Sequence, residues 1–200
     1  MTDRRRRTRR QDPRRERLLR ELEEIFLGEG FSSLTTDQLC KRLRCSKSTL
    51  YSVAGSREQI IQAVVRYFFA HSSADIEADV FATTDPASRI VKYLEGVGRA
   101  MKRNSPAFYE DMVSYPPTAE IYRLNSQAAA ARVQAMIEEG VSEGGFRPAD
   151  AALASLTVAY LMDGVQSGEV LEATGLNAGA AFAELGELLV HGLAVRSRQP

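Results

Sequence analysis

The chain is poor in the residues that metal and redox chemistry need. Its 200 residues include two cysteines and two histidines. Cys40 and Cys45 have no nearby histidine or second cysteine pair, so the spacing excludes a tetrahedral zinc site. His71 and His191 stand far apart and form no metal-ligand cluster. No apolar run approaches the roughly 20 residues needed to span a bilayer. The N-terminus is basic but lacks the apolar stretch of a secretory signal, so a cytoplasmic location without membrane contact is expected. Strand-like alternation of useful length is missing, and helical periods dominate. Gly28-Glu29-Gly30 has neither a preceding strand nor the following Gly or Lys-Ser/Thr of a phosphate loop. No Gly-x-Ser-x-Gly occurs. Glu23-Glu24, Glu110-Asp111 and Glu138-Glu139 are consecutive, so on a helix each pair diverges by about 100° and shares no site. The expectation is a protein that is not an enzyme and carries no cofactor or metal.

What is present is a split of charge hidden under a net charge of zero. Met1 to Arg57 holds 15 Lys and Arg against 8 Asp and Glu, a net of +7. Glu58 to Pro200 holds 11 against 18, a net of −7. A basic head on an acidic body concentrates positive potential at one end, as nucleic-acid binding requires. The block Arg4-Arg5-Arg6-Arg7-Thr8-Arg9-Arg10 is read as a disordered basic arm, residues 1–13, that follows the phosphate backbone or enters the minor groove.

The stretch Leu34 to Gln59 reads as two short helices, a tight turn between them, and the start of a third. Thr35 caps the first helix, with Gln38 three residues on completing a capping box. Leu39 and Leu43 form its apolar stripe. The turn is Arg44-Cys45. Ser46 then caps a helix expected from Lys47 to about Val53, with Leu50 facing inward. Ser56 opens the next helix, with Gln59 as the capping-box partner. This is a helix-turn-helix. In that motif the N-terminal residues of the second helix reach base edges, while hydroxyls and cations around it hold phosphates. Lys47 and Ser48 are the base-edge candidates. Thr49, Tyr51 and Ser52 offer hydroxyls. Thr35, Thr36 and Arg57 lie at helix starts, where the dipole favours a phosphate.

Phe26-Leu27-Gly28-Glu29-Gly30-Phe31, Leu34-Thr35-Thr36, Leu39-Cys40, Ser46-Lys47-Ser48-Thr49-Leu50-Tyr51 and Ser56-Arg57-Glu58 resemble the N-terminal domain of TetR/AcrR-family transcriptional regulators. The resemblance covers about Arg14 to Val65, without gaps. It departs at Cys40, where the family usually has Ala, at Arg44 for Gly, Cys45 for an aliphatic residue, Ala54 for an aromatic, and Arg57 for Lys. Arg44 is the costly departure, since a turn glycine supplies positive φ and a side chain there costs roughly 1 kcal/mol. Cys40 and Cys45 are read as small core residues rather than a thiol sensor.

Beyond the motif the apolar residues keep helical spacing. Leu18, Leu19, Leu22, Ile25 and Phe26 stripe a helix ending at Gly28 to Gly30. Ile60, Ile61, Val64, Val65, Phe68 and Phe69 stripe one running to about Phe81. Asp85-Pro86 and Ser105-Pro106 each read as an N-cap followed by N1. Tyr115-Pro116-Pro117 reads as a break before a helix from about Thr118 to Glu139. Two further helices are expected at about Ala149 to Ser167 and Ala178 to Val195. The fold expected is all-α: a three-helix helix-turn-helix domain at 14–57 and a C-terminal helical ligand-binding and dimerisation domain at 58–200.

The resemblance implies a homodimer through the last two helices and an effector pocket in the body. Tyr93, Met101, Phe108, Tyr109, Met112, Tyr115, Tyr122 and Met162 are the pocket candidates, with Asp163 and Gln166 as polar ones. Such lining suits an apolar or aromatic small molecule. The function expected is a sequence-specific DNA-binding repressor, released by that effector from a palindromic operator. Two readings stay open beside it: a helix-turn-helix protein without an effector, and a helical enzyme or carrier.

Overall fold

A short polar side chain precedes most of the helices, and each does the same work. It accepts a backbone N–H that the first turn leaves without a partner. In the computed structural model, which describes residues 13–194, α1 spans Pro13–Glu29 and α2 spans Thr36–Arg42. Thr35 Oγ1 accepts from Gln38 N at 3.2 Å, and Gln38 Oε1 accepts from Thr35 N at 2.7 Å, closing the capping box. Ser46 caps α3, Lys47–Tyr51, by accepting from Thr49 N at 3.2 Å. Ser56 caps α4, Arg57–Phe81, but Gln59 reaches one residue further back than a capping box does and accepts from Gly55 N. Asp85 and Ser105 cap α5, Pro86–Lys102, and α6, Pro106–Ser114. The expected arm at 1–13 lies outside the described residues, apart from Pro13, and Val195 lies outside them too.

Three boundaries differ from expectation. α3 ends at Tyr51 rather than Val53, because Val53 turns into the core, where it is buried. α7, Pro116–Ser142, starts at the two prolines rather than after them. A proline at the first helical position gives up an N–H that has no partner there anyway. Its far end runs past Gly140, where a Cβ would collide with the Phe146 ring. The Gly140 carbonyl instead accepts from Gly145 N and Phe146 N, at 2.9 and 3.0 Å, and ties the loop to the helix end. α8, Ala151–Ser167, and α10, Ala178–Leu193, match their expected spans closely. Between them lies α9, Glu169–Thr174, a single turn and a half too short for periodicity to register.

Two apolar cores result. The first joins α1, α2, α3 and the N-terminal half of α4 to Phe108, Met112 and Ile121 of α6 and α7. The second joins Ile76 and Val80 of α4 to α5, α7, α8 and α10. The expected boundary at residue 57 thus separates helices, while the head's packing continues past it. Among the described residues, no helix is long and apolar enough to cross a membrane.

The turn between α2 and α3 carries the strain that its sequence implies. Arg44 has φ 49°, the only positive φ among the described non-glycine residues. Arg44→Gly is therefore expected to stabilise the chain by about 1 kcal/mol. A chemical-denaturation midpoint that fails to rise would show that the arginine is held by compensating contacts.

Candidate functional site

The exposed end of α3 is built from residues that hold one another. Lys47 and Ser48 are exposed, and Thr49 is half-buried. Ser46 Oγ lies 2.8 Å from Ser48 Oγ and 3.0 Å from Thr49 Oγ1. Lys47 Nζ pairs with Asp37 Oδ1 at 2.7 Å, a hydrogen bond and charge contact that push the lysine pKa up. Asp37 belongs to α2, so the pair spans the two helices of the motif. Ser52 Oγ donates to Thr49 O at 2.6 Å, and Tyr51 keeps 38 % of its surface exposed. From α1, Arg14 Nη2 donates to Thr49 Oγ1 at 3.2 Å and Arg15 Nε to Val53 O at 3.1 Å. These two arginines brace α3 from behind. Lys41 and Arg44 add exposed cations at the turn.

Head and body are joined by directed bonds as well as by the shared core. Phe31 N and Ser32 N both donate to Asp111 Oδ2, at 2.5 and 2.8 Å. Gly30, just before them, has φ +79°, and a Cβ there would meet that same oxygen. Ser105 N donates to Leu27 O at 2.8 Å. Arg103 Nη2 lies 3.0 Å from Glu24 Oε1 and 3.6 Å from Glu23 Oε1. Glu23 is only 4 % exposed. Its burial raises its pKa, and the Arg103 charge opposes that shift.

The body encloses a cavity of about 280 Å³ among α4, α5, α7 and α8. Phe68, Phe69, Ile76, Val97, Met101 and Met162 make its apolar wall. Glu77 and Arg132 face each other there in a two-pronged pair, with Nε to Oε1 at 2.9 Å and Nη2 to Oε2 at 3.2 Å. Tyr93 donates to Ala129 O at 3.5 Å, and burial pushes its pKa up to about 12. Tyr122, also on the wall, donates to Asp163 Oδ1 at 2.9 Å; burial first, then the Asp163 charge, raises its pKa. On the outer face Leu153, Leu156 and Tyr160 of α8 stand exposed in one stripe, with Leu188 of α10 exposed as well.

No protein-family model matches the chain, and no curated protein matches its sequence significantly. Solved structures do match it. A TetR/AcrR-family transcriptional regulator from Thermobifida fusca is 20% identical, with a TM-score of 0.68 over 90% of this chain and 98% of that one. A transcriptional regulator from Saccharomonospora viridis, solved in complex with choline, is 17% identical, with a TM-score of 0.75 over 91% and 98%. The fatty acid degradation regulator from Bacillus halodurans is 14% identical, with a TM-score of 0.70 over 92% and 98%. The chain has the TetR/AcrR fold.

On that TetR/AcrR scaffold the anticipated residues fall into groups. Lys47, Ser48, Tyr51 and Ser52 share the exposed side of α3, with Thr35 exposed and Thr36 half-buried at the start of α2. Arg57 starts α4, as expected, and its side chain also makes contacts within the head. Its Nη2 donates to Phe31 O at 2.8 Å and Leu34 O at 2.9 Å, so it braces the loop before α2. Of the pocket candidates, Tyr93, Met101, Tyr122, Met162 and Gln166 line the cavity. Five do not. Phe108 and Met112 are fully buried in the first core, because α6 packs on the head. Tyr115 packs edge-to-face with Phe31, and Tyr109 does so with Tyr122. Asp163 meets Tyr122 from outside the cavity. Sequence reasoning missed Glu77 and Arg132, since polar residues on a helix look solvated until the neighbouring helices are in place. Cys40 and Cys45 are half-buried and pack against the first core. Burial, with Cys40 beside it, pushes the Cys45 thiol up, away from the reactive thiolate.

Proposed function

We propose that this chain is a TetR/AcrR-family regulator, a cytoplasmic homodimer that binds a palindromic duplex operator and is released from it by a small molecule. One observation carries the DNA-binding reading. The N-terminus of α3 leaves Lys47 and Ser48 exposed, with Arg14 bonded to Thr49 and Lys47 paired with Asp37 of α2. A preorganised helix end with a cation and hydroxyls suits base edges flanked by phosphates. The dimer reading is supported by Leu153, Leu156 and Tyr160 of α8 and Leu188 of α10, large apolar side chains that the protomer leaves exposed. Two heads on such a dimer read half-sites roughly 34–36 Å apart. The cavity supports release by an effector. A ligand that fits one body conformation better than another shifts the heads through α4, whose far half lines the cavity.

Fluorescence anisotropy with the duplex from the gene's own upstream region, against a scrambled duplex at two salt concentrations, tests the reading. Preference for the native duplex with a steep salt dependence supports it; no binding to either duplex at low salt overturns it. Lys47→Ala is expected to lose about 1–3 kcal/mol and to blur sequence preference. Tyr51→Phe is expected to weaken all duplexes alike. Wild-type affinity in both variants would remove α3 from the interface.

A further inference from the structure

The turn of the helix-turn-helix folds its two cysteines onto one another. α2 ends at its Leu43 cap, and Arg44 follows in the left-handed conformation, with φ 49°. Arg44 N donates to Lys41 O at 3.3 Å, and Cys45 N donates to Cys40 O at 3.0 Å. Together these two bonds make a Schellman ending, whose outer bond joins Cys45 to Cys40. Side chains at those two positions characteristically meet. Here burial, and after it Cys40, raises the pKa of the Cys45 thiol, as a neighbouring thiol does. One backbone bond also holds the two residues within the roughly 4.4–6.8 Å between Cα atoms that a disulfide spans. Both pack against the first core, and both keep part of their surface in solvent. A reading as small core residues explains the packing but leaves the pairing without a use.

We propose that Cys40 and Cys45 form a reversible disulfide site inside the helix-turn-helix, closed by a hydroperoxide, and that closing it weakens DNA binding. The second half rests on α3 being the DNA-reading helix; the first half does not. Cys40 takes the first step, because burial holds Cys45 as the thiol. The Cys40 thiolate attacks one peroxide oxygen. An S–O bond forms, the O–O bond breaks, and the alcohol leaves with the proton that Cys40 gave up. The Cys45 sulfur then attacks the sulfenic sulfur. The S–S bond forms, the S–O bond breaks, and water leaves with the Cys45 proton. Two thiols are thereby oxidised, and one hydroperoxide is reduced to alcohol and water. A dithiol reductant reverses the change. Closure brings the sulfurs to about 2.05 Å, nearer than two thiols in contact. Cys45 directly precedes Ser46, the cap of α3, whose Oγ meets Ser48 and Thr49. The contraction therefore pulls on the end of α3 that carries Lys47 and Ser48.

Treating the reduced full chain with cumene hydroperoxide, then blocking free thiols and digesting with trypsin, tests the site without DNA. Trypsin cuts after Lys41, Arg42 and Arg44, so Cys40 and Cys45 fall in separate peptides that only a disulfide holds together. The expected result is a linked pair that dithiothreitol separates, from a chain that keeps its single-chain mass on a non-reducing denaturing gel. Unlinked peptides, or a link between two chains, overturns the site. Dimedone is expected to label the sulfenic acid in Cys45→Ser at least about tenfold faster than in Cys40→Ser. Equal labelling overturns the order of attack. Operator anisotropy is then read on the same samples. Oxidation is expected to weaken specific binding at least about tenfold, the scale of one lost base contact, and dithiothreitol to restore it. The double variant Cys40→Ser, Cys45→Ser is expected to keep its affinity in peroxide. Linked peptides with unchanged operator affinity overturn the switch while the disulfide site stands. A reduced wild-type chain that binds no duplex overturns the DNA-binding reading instead.

Discussion

Leu188→Glu is expected to leave the chain folded, to make it monomeric, and to weaken specific operator binding by at least about a hundredfold. The leucine keeps 70 % of its surface exposed and Tyr160 keeps 69 %, so neither is needed for the protomer's core. Substitutions at such positions usually change stability by no more than about 0.5 kcal/mol. In a dimer built on α8 and α10 the same side chain meets its own copy or a neighbour across the two-fold axis. A glutamate then buries two like charges at one apolar interface, which desolvation and repulsion both oppose. Loss of the dimer costs the operator one half-site per protomer, and each tenfold of affinity corresponds to about 1.4 kcal/mol. Light scattering after size exclusion measures the first effect and anisotropy the second. A dimer of unchanged mass that still binds the operator would place the interface elsewhere.

Asp111→Ala carries the next largest effect, and it falls on stability. The carboxylate accepts two backbone N–H groups, from Phe31 and Ser32, at the point where the head meets α6. Hydrogen bonds to a charged acceptor contribute about 1.5–3 kcal/mol each, and the Phe31 N–H has nowhere else to turn. A loss of about 3 kcal/mol is expected, which lowers the melting temperature of a chain this long by roughly 6–12 °C. Asp111→Asn keeps an acceptor oxygen and is expected to recover part of that loss. Melting within about 2 °C of wild type in the alanine variant would mean that other bonds carry the joint.

Local chemistry made much of this legible in advance. Thr35, Ser46, Asp85-Pro86 and Ser105-Pro106 mark helix starts because a cap acts on N–H groups only two or three residues away. The strain at Arg44 was readable from the turn it must make. Partners distant in sequence were not. That Arg57 also holds the loop before α2 was not readable, because only folding brings Phe31 O and Leu34 O, more than 20 residues away, into its reach. Phe108 and Met112 have the composition of a pocket wall, but α6 leans toward the head and buries them there. The cavity draws on four helices. Which side of each helix faces it depends on crossing angles that side-chain spacing along one helix does not encode.

α4 enters both apolar cores, with Val64, Val65 and Phe68 in one and Ile76 and Val80 in the other. No break in the helix separates the two sets. The head therefore lacks the autonomy of a folding unit: cutting the chain after the helix-turn-helix would strip Phe108, Met112 and Ile121 from its interior and expose what they cover. Melting of either half removes packing from the other, so local opening at the cavity end is penalised at the helix-turn-helix end. Cooperative unfolding of the two ends draws on one shared element, and natural variation that loosens one should be seen to loosen the other.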